Sequence, residues 1–79
     1  MPIKNSTDED VDYSVNFQGV VQFRGRVGQG QTDDGDLTPN MTYSFTGGNR
    51  SYESATPTGK RQCITVKLNG KTPVSASCG

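Results

Sequence analysis

Val11-Asp12-Tyr13-Ser14-Val15-Asn16-Phe17 alternates apolar and polar residues at every step, the period of a strand with one buried face and one wet face. A helix would need apolar residues three and four apart, and no window of helical length in the chain carries that stripe. Beyond Gly19, Val20-Val21-Gln22-Phe23 is the next expected strand, running into the glycine-punctuated stretch Gly25-Arg26-Val27-Gly28-Gln29-Gly30. Met41, Tyr43 and Phe45 alternate with Thr42, Ser44 and Thr46 to give a third, closed by Gly47-Gly48-Asn49. Between them, Gly28 to Pro39 is polar and turn-rich and is expected as the longest loop. Residues 47 to 59 form a second polar connection. Ahead of Val11, residues 1 to 10 carry Asp8, Glu9 and Asp10 and are expected as a disordered acidic lead-in, with residues 11 to 79 forming a single β domain.

Toward the C-terminus, Ile64, Val66 and Leu68 alternate with Thr65 and Lys67, Asn69-Gly70 turns the chain, and Thr72, Val74 and Ala76 alternate again. That is a hairpin. A two-residue Asn-Gly loop would set Val66 opposite Pro73 and mix the faces. A three-residue loop over Asn69 to Lys71 pairs Leu68 with Thr72, Val66 with Val74 and Ile64 with Ala76, which keeps one apolar face. Pro73 has no ladder donor, so the last strand belongs at a sheet edge or beside a bulge.

The chain has 79 residues, 29% of them hydrophobic, and no Trp. One small domain with a meagre core is all that fits, and at this size burial barely exceeds the entropy of ordering, so a staple or a partner is expected. Cys63 and Cys78 are the only cysteines, and with no histidine in the chain they cannot complete an ordinary zinc site. An even cysteine count in a core-poor chain reads best as a disulfide from an oxidising compartment; the alternative is a pair of reduced cysteines in a cytosolic protein. In the hairpin register above Cys63 lies opposite Ser77, so closing the bridge to Cys78 requires a bulge or a strand that has already ended. Asn5-Ser6-Thr7, Asn40-Met41-Thr42 and Asn49-Arg50-Ser51 have the form of glycosylation acceptors, although the abundance of Ser and Thr accounts for them without any glycan.

Eight basic residues balance eight acidic ones, so no whole-surface attraction to nucleic acid or anionic membrane is expected. No apolar run approaches a membrane span or a signal peptide, so export would require a targeting segment outside these residues. The distribution is uneven: from Ser54 onward Lys60, Arg61, Lys67 and Lys71 stand without an acid. Together with Arg24 and Arg26 they could form a basic surface that holds DNA weakly through its phosphates, and the competing reading is edge protection by exposed lysines. Tyr13, Tyr43 and Tyr52 could stack on bases, but Tyr13 and Tyr43 have the periodicity of core residues. Without histidine the usual Ser/His and Cys/His nucleophiles are impossible, so no enzyme, no catalytic residue and no cofactor are expected. Asp33-Asp34-Gly35-Asp36 offers hard oxygen ligands that would suit Ca²⁺, yet it lacks the spacing of an EF-hand loop and reads first as a solvated turn.

The segment Arg61-Gln62-Cys63-Ile64-Thr65-Val66-Lys67-Leu68-Asn69-Gly70-Lys71, with Val74 and the near-terminal Cys78, resembles the C-terminal hairpin of the minor pilins and pseudopilins of the GspH/FimT family. Phe23-Arg24-Gly25-Arg26-Val27-Gly28 is similar to the Phe- and Gly-rich turn of the same head domains, and the resemblance covers residues 15 to 79. It implies an isolated globular head, exported or displayed at the cell surface, that meets other pilus or pseudopilus subunits or a surface ligand through an exposed hairpin. Two departures stand beside it. Family members begin with a long hydrophobic helix that this sequence lacks, and Gly70-Lys71-Thr72-Pro73 has one basic residue where DNA-uptake members have an Arg-rich turn.

The expectation is therefore an all-β fold: a small antiparallel sheet of about five strands, ending in a hairpin stapled by Cys63 and Cys78. The expected role is structural or adhesive. Weak DNA binding through Lys60, Arg61, Lys67 and Lys71, or service as a secreted recognition module unrelated to pilins, are the alternatives.

Overall fold

The computed structural model describes residues 3–78, and no described residue lies in a helix. Met1 and Pro2, part of the expected lead-in, fall outside the described residues. The strands are β1 (Ile3–Ser6), β2 (Val11–Phe17), β3 (Val20–Val27), β4 (Thr32–Asp33), β5 (Thr42–Gly47), β6 (Cys63–Lys67) and β7 (Val74–Ser75). They form two sheets, ordered β4-β1-β6-β7 and β3-β2-β5, whose inner faces share one hydrophobic core. The all-β class and the disulfide hold. The single antiparallel sheet of about five strands is corrected to these two sheets, one of them mixed, because β1 runs parallel to β6.

The three-stranded sheet is built on the decisive alternation. Val11, Tyr13 and Val15 face inward, and their cross-strand neighbours make three rows: Phe23–Val15–Tyr43, Gly25–Tyr13–Phe45 and Val27–Val11–Gly47. Two of the nine places are glycine, and each is filled from elsewhere. A Cβ on Gly25 would collide with the Tyr13 ring, and one on Gly47 with the Glu9 carboxylate. The aromatic side chains of this sheet cluster tightly, with Tyr13 at 6.1 Å from Phe23 and 6.2 Å from Tyr43, centre to centre.

The lead-in is the largest departure from the sequence reading. Residues 3 to 10 are strand and turn, and Ile3, Asn5, Thr7 and Glu9 are buried. Lys4 and the run of acids hid a strand in which alternate residues point inward, one of them the polar Asn5. Its amide donates to the carbonyls of Glu9 and Val27, while its oxygen accepts from the Thr7 amide and hydroxyl. With every polar atom paired, burial costs little, and the Val27 bond ties β1 to the opposite sheet. The same bonds exclude a glycan on Asn5 in the folded chain. Asn40 and Asn49 are exposed.

In the C-terminal hairpin the loop has three residues, one place earlier than expected. Lys67 N–H bonds the Lys71 carbonyl, Thr65 N–H bonds the Pro73 carbonyl, and Gly70 N–H closes the turn on the Lys67 carbonyl. Leu68, Asn69 and Gly70 are thus the loop, and Ile64 pairs with Val74 rather than Ala76. The reason is Gly70, whose φ of 84° is the left-handed position that ends a three-residue hairpin loop. A shift of two partners preserves the faces, so Val66 stays buried, but Leu68 moves from the expected core to the exposed turn. β7 is an edge strand, as Pro73 requires. It ends at Ser75, and the chain returns to bond Cys78 to Cys63, with a Cα–Cα distance of 5.3 Å.

Candidate docking shelf and aromatic cavity

A bulge at Gln22 decides what the outer end of the three-stranded sheet presents. Across it the register steps from Val15–Phe23 to Asn16–Val21, so Phe23 and Val20 fall on the same side as Phe17. That side is the inner face, and here it runs past the cover of the other sheet: Phe17, Val20 and Phe23 are 44%, 60% and 56% exposed. Apolar residues on the core side of a sheet, left in solvent, are the most unusual surface feature of the molecule. The sequence shows the strand but not the overhang, which depends on where the second sheet stops.

Beside this shelf the segment after β4 leans over the sheet and bounds a half-open cavity of about 360 Å³. Its lining includes the apolar and aromatic residues Val15, Leu37, Phe23, Tyr13 and Tyr43, together with Asp33 and Asp36. The Tyr13 hydroxyl donates to Asp33 Oδ2 at 2.8 Å, and Asp33 Oδ1 accepts the Gly35 N–H. Burial, and then the Asp33 carboxylate, push the Tyr13 phenol far above its ordinary range, so it is a fixed hydrogen-bond donor and not a base. The Tyr43 hydroxyl accepts the Thr38 N–H, which pins the far end of the segment. Glycine at position 25 lets the Tyr13 ring lie across β3 and reach Asp33. Gly28 to Pro39 is therefore no free loop: it contributes β4 and the buried Leu37.

The residues singled out from the sequence are dispersed. Arg24 and Arg26 lie on β3, in the three-stranded sheet, and Arg26 is paired with Asp12 at 2.6 Å. Lys67 and Lys71 flank the C-terminal turn, with Lys71 at 3.5 Å from Glu53. Lys60 and Arg61 are at the other end of β6, next to Val74 and Ser75, roughly 13 Å away at the rise of an extended strand. Tyr13 and Tyr43 are core residues, and Tyr52 donates to Glu9. Among the described residues no group of three or more acids, cysteines or histidines is arranged to hold a metal ion, the Asp33 to Asp36 turn included.

The chain matches no family model, no curated protein and no solved structure.

Proposed function

We propose that this domain is a non-enzymatic structural or adhesive module, exported to an oxidising compartment, which docks a partner on the shelf of Phe17, Val20 and Phe23. The exposure of these three side chains carries the reading, since an apolar patch costs solubility unless something covers it. The Cys63–Cys78 bridge suits an extracellular or cell-surface location. A pilin-like head that contributes this hairpin to filament assembly is the concrete form of the proposal, with the β2–β3 hairpin replacing the C-terminal one as the contact. Reactive chemistry is not what the cavity favours: the Tyr13 hydroxyl is bonded to the Asp33 carboxylate, and the Tyr43 hydroxyl accepts the Thr38 N–H.

The test is retention of domain-coated beads on the cells that produce the protein. Val20→Ser with Phe23→Ser is expected to lower retention by about tenfold, the scale set by losing two apolar contacts, measured well below the variant's own thermal midpoint, which falls because Phe23 packs on Tyr13. Unchanged retention by the double variant overturns the reading.

A further inference from the structure

Three of the four sheet edges are short or covered, and the fourth is long and open. β4 and β7 end the mixed sheet with two residues each. β5 ends the other sheet, but Tyr43 exchanges both backbone hydrogen bonds with Ala55 and Gly47 N–H bonds the Arg50 carbonyl, so a returning segment lies along it. β3 has eight residues, and among the described residues no strand or bridge lies on its outer side. Opposed residues in an antiparallel ladder alternate between bonded and unbonded pairs. Because Tyr43 directs its backbone groups to Ala55, its neighbour Val15 bonds across to Phe23, and by the same alternation Tyr13 bonds Gly25. The N–H and C=O groups of Arg24 and Arg26, both exposed residues, therefore point away from β2.

The same two arginines carry their side chains on the outer face of the sheet. Asp12 stands opposite Arg26 and bonds it at 2.6 Å, whereas Arg24 stands opposite Ser14 and has no hydrogen-bond or ion-pair partner among the described residues. Antiparallel pairing of β3 with a second copy, centred on Arg24, Gly25 or Arg26, sets arginine opposite arginine, which is destabilising. The edge thus disfavours its own copy and favours an acid. We propose that β3 takes an extended segment of a partner polypeptide as a fourth strand, antiparallel over Phe23 to Val27, with a carboxylate opposite Arg24. Paired backbone hydrogen bonds at Arg24 and Arg26 hold the segment, and the carboxylate sets its register. A neutral residue suffices opposite Arg26, which Asp12 already balances. Opposite Gly25 the partner residue is apolar, because the bare glycine leaves the Tyr13 ring exposed to it on the inner side. The site lies on the strand edge beyond the bulge and does not depend on the shelf.

The experiment is amide hydrogen exchange of the intact, oxidised domain, read residue by residue by NMR, with and without acetyl-Val-Thr-Val-Glu-Val-Thr-amide. In the free domain the Arg24 and Arg26 amides are expected to exchange fast and those of Phe23 and Gly25 slowly, and the peptide is expected to slow the fast pair. N-methylation of the peptide's glutamate removes the N–H that the Arg24 carbonyl accepts and is expected to weaken binding by about tenfold. Methylation of the valine before it, whose N–H points away from β3, is expected to stay within about twofold. Glutamine in place of the glutamate is expected to bind about threefold more weakly, and Arg24→Gln to erase that difference. No slowing at about 5 mM peptide, equal effects of the two methylations, or a glutamate preference that survives Arg24→Gln each overturns the proposal. Protection of Arg24 and Arg26 that rises with the concentration of the free domain also overturns it, and gives the edge to a second copy. Val20→Ser keeps the shelf apart: peptide binding is expected to stay within about twofold, and a loss as large as that from the methylated glutamate would place the peptide on the shelf instead of the edge.

Discussion

Glu9 is a carboxylate at 8% exposure, placed over the one inward position of its row that has no side chain. Its Oε2 accepts from the Tyr52 hydroxyl at 2.6 Å and its Oε1 from the Asn49 N–H at 2.8 Å, with Arg50 at 3.8 Å. The Tyr52 hydrogen bond, helped by Asn49 and Arg50, holds the Glu9 carboxyl below its ordinary range although burial pushes the other way. A carboxyl lowered on folding stabilises fully above its unfolded value, 4.5 for a free glutamate, and that contribution drains away as pH falls through the folded value. Asp8 and Asp12, lowered by Arg50 and Arg26, act in the same direction from more exposed positions. The thermal midpoint is therefore expected to be flat from neutral pH to about 5 and to fall below it. Glu9→Gln is expected to lower the neutral midpoint and make the acid decline shallower, as read by melts at both ends of that range. An unchanged acid slope would assign the decline to other carboxyls.

At the scale of elements, the hairpin that carries the shelf turns through Gln18 and Gly19, with φ of 50° and 80°. Two successive left-handed residues define the type I′ turn, which glycine adopts freely and glutamine does not. Gln18→Asn is expected to stabilise by about 1 kcal/mol, measured as a shift of the denaturant midpoint at unchanged slope. Alternation made β2, β5 and β6 readable because one face of each is apolar and the other polar. β3 was readable only as far as Phe23, since Arg24, Gly25 and Arg26 carry no apolar signal and only Val27 at its end is buried. β1 and β4 were hidden, for their inward residues include Asn5 and their pairing is long-range. The candidate site suffered most: Tyr13, Phe23 and Asp33 are ordinary in sequence, and only the bulge at Gln22 and the bare backbone of Gly25 bring them together.

For the whole molecule the disulfide counts for more than its place near the chain end suggests. It closes a sequence separation of 15 residues and ties the tail back to Cys63, which is fully buried at the start of β6. Constraining a loop of that length in the unfolded chain is worth about 3 kcal/mol. For a domain this small, reduction or Cys78→Ser is expected to lower the thermal midpoint by roughly 10–20 °C, followed by circular dichroism with and without reductant. A shift of only a degree or two would mean that the two sheets are held by their own packing.

The wiring of β1 has a consequence in time. Ile3 is paired with Ile64 and Ser6 with Lys67, so the second strand from the edge of the mixed sheet waits for a partner almost at the other end of the chain. Loop-closure entropy must be spent before any of those contacts gives a return. A ribosome or a secretion channel that has released residues 3 to 60 has released a chain still missing its central strand. The three-stranded sheet can pair by then, but the mixed sheet and its share of the core cannot close until residue 67 has emerged, and until then that half of the fold remains a threadable polymer.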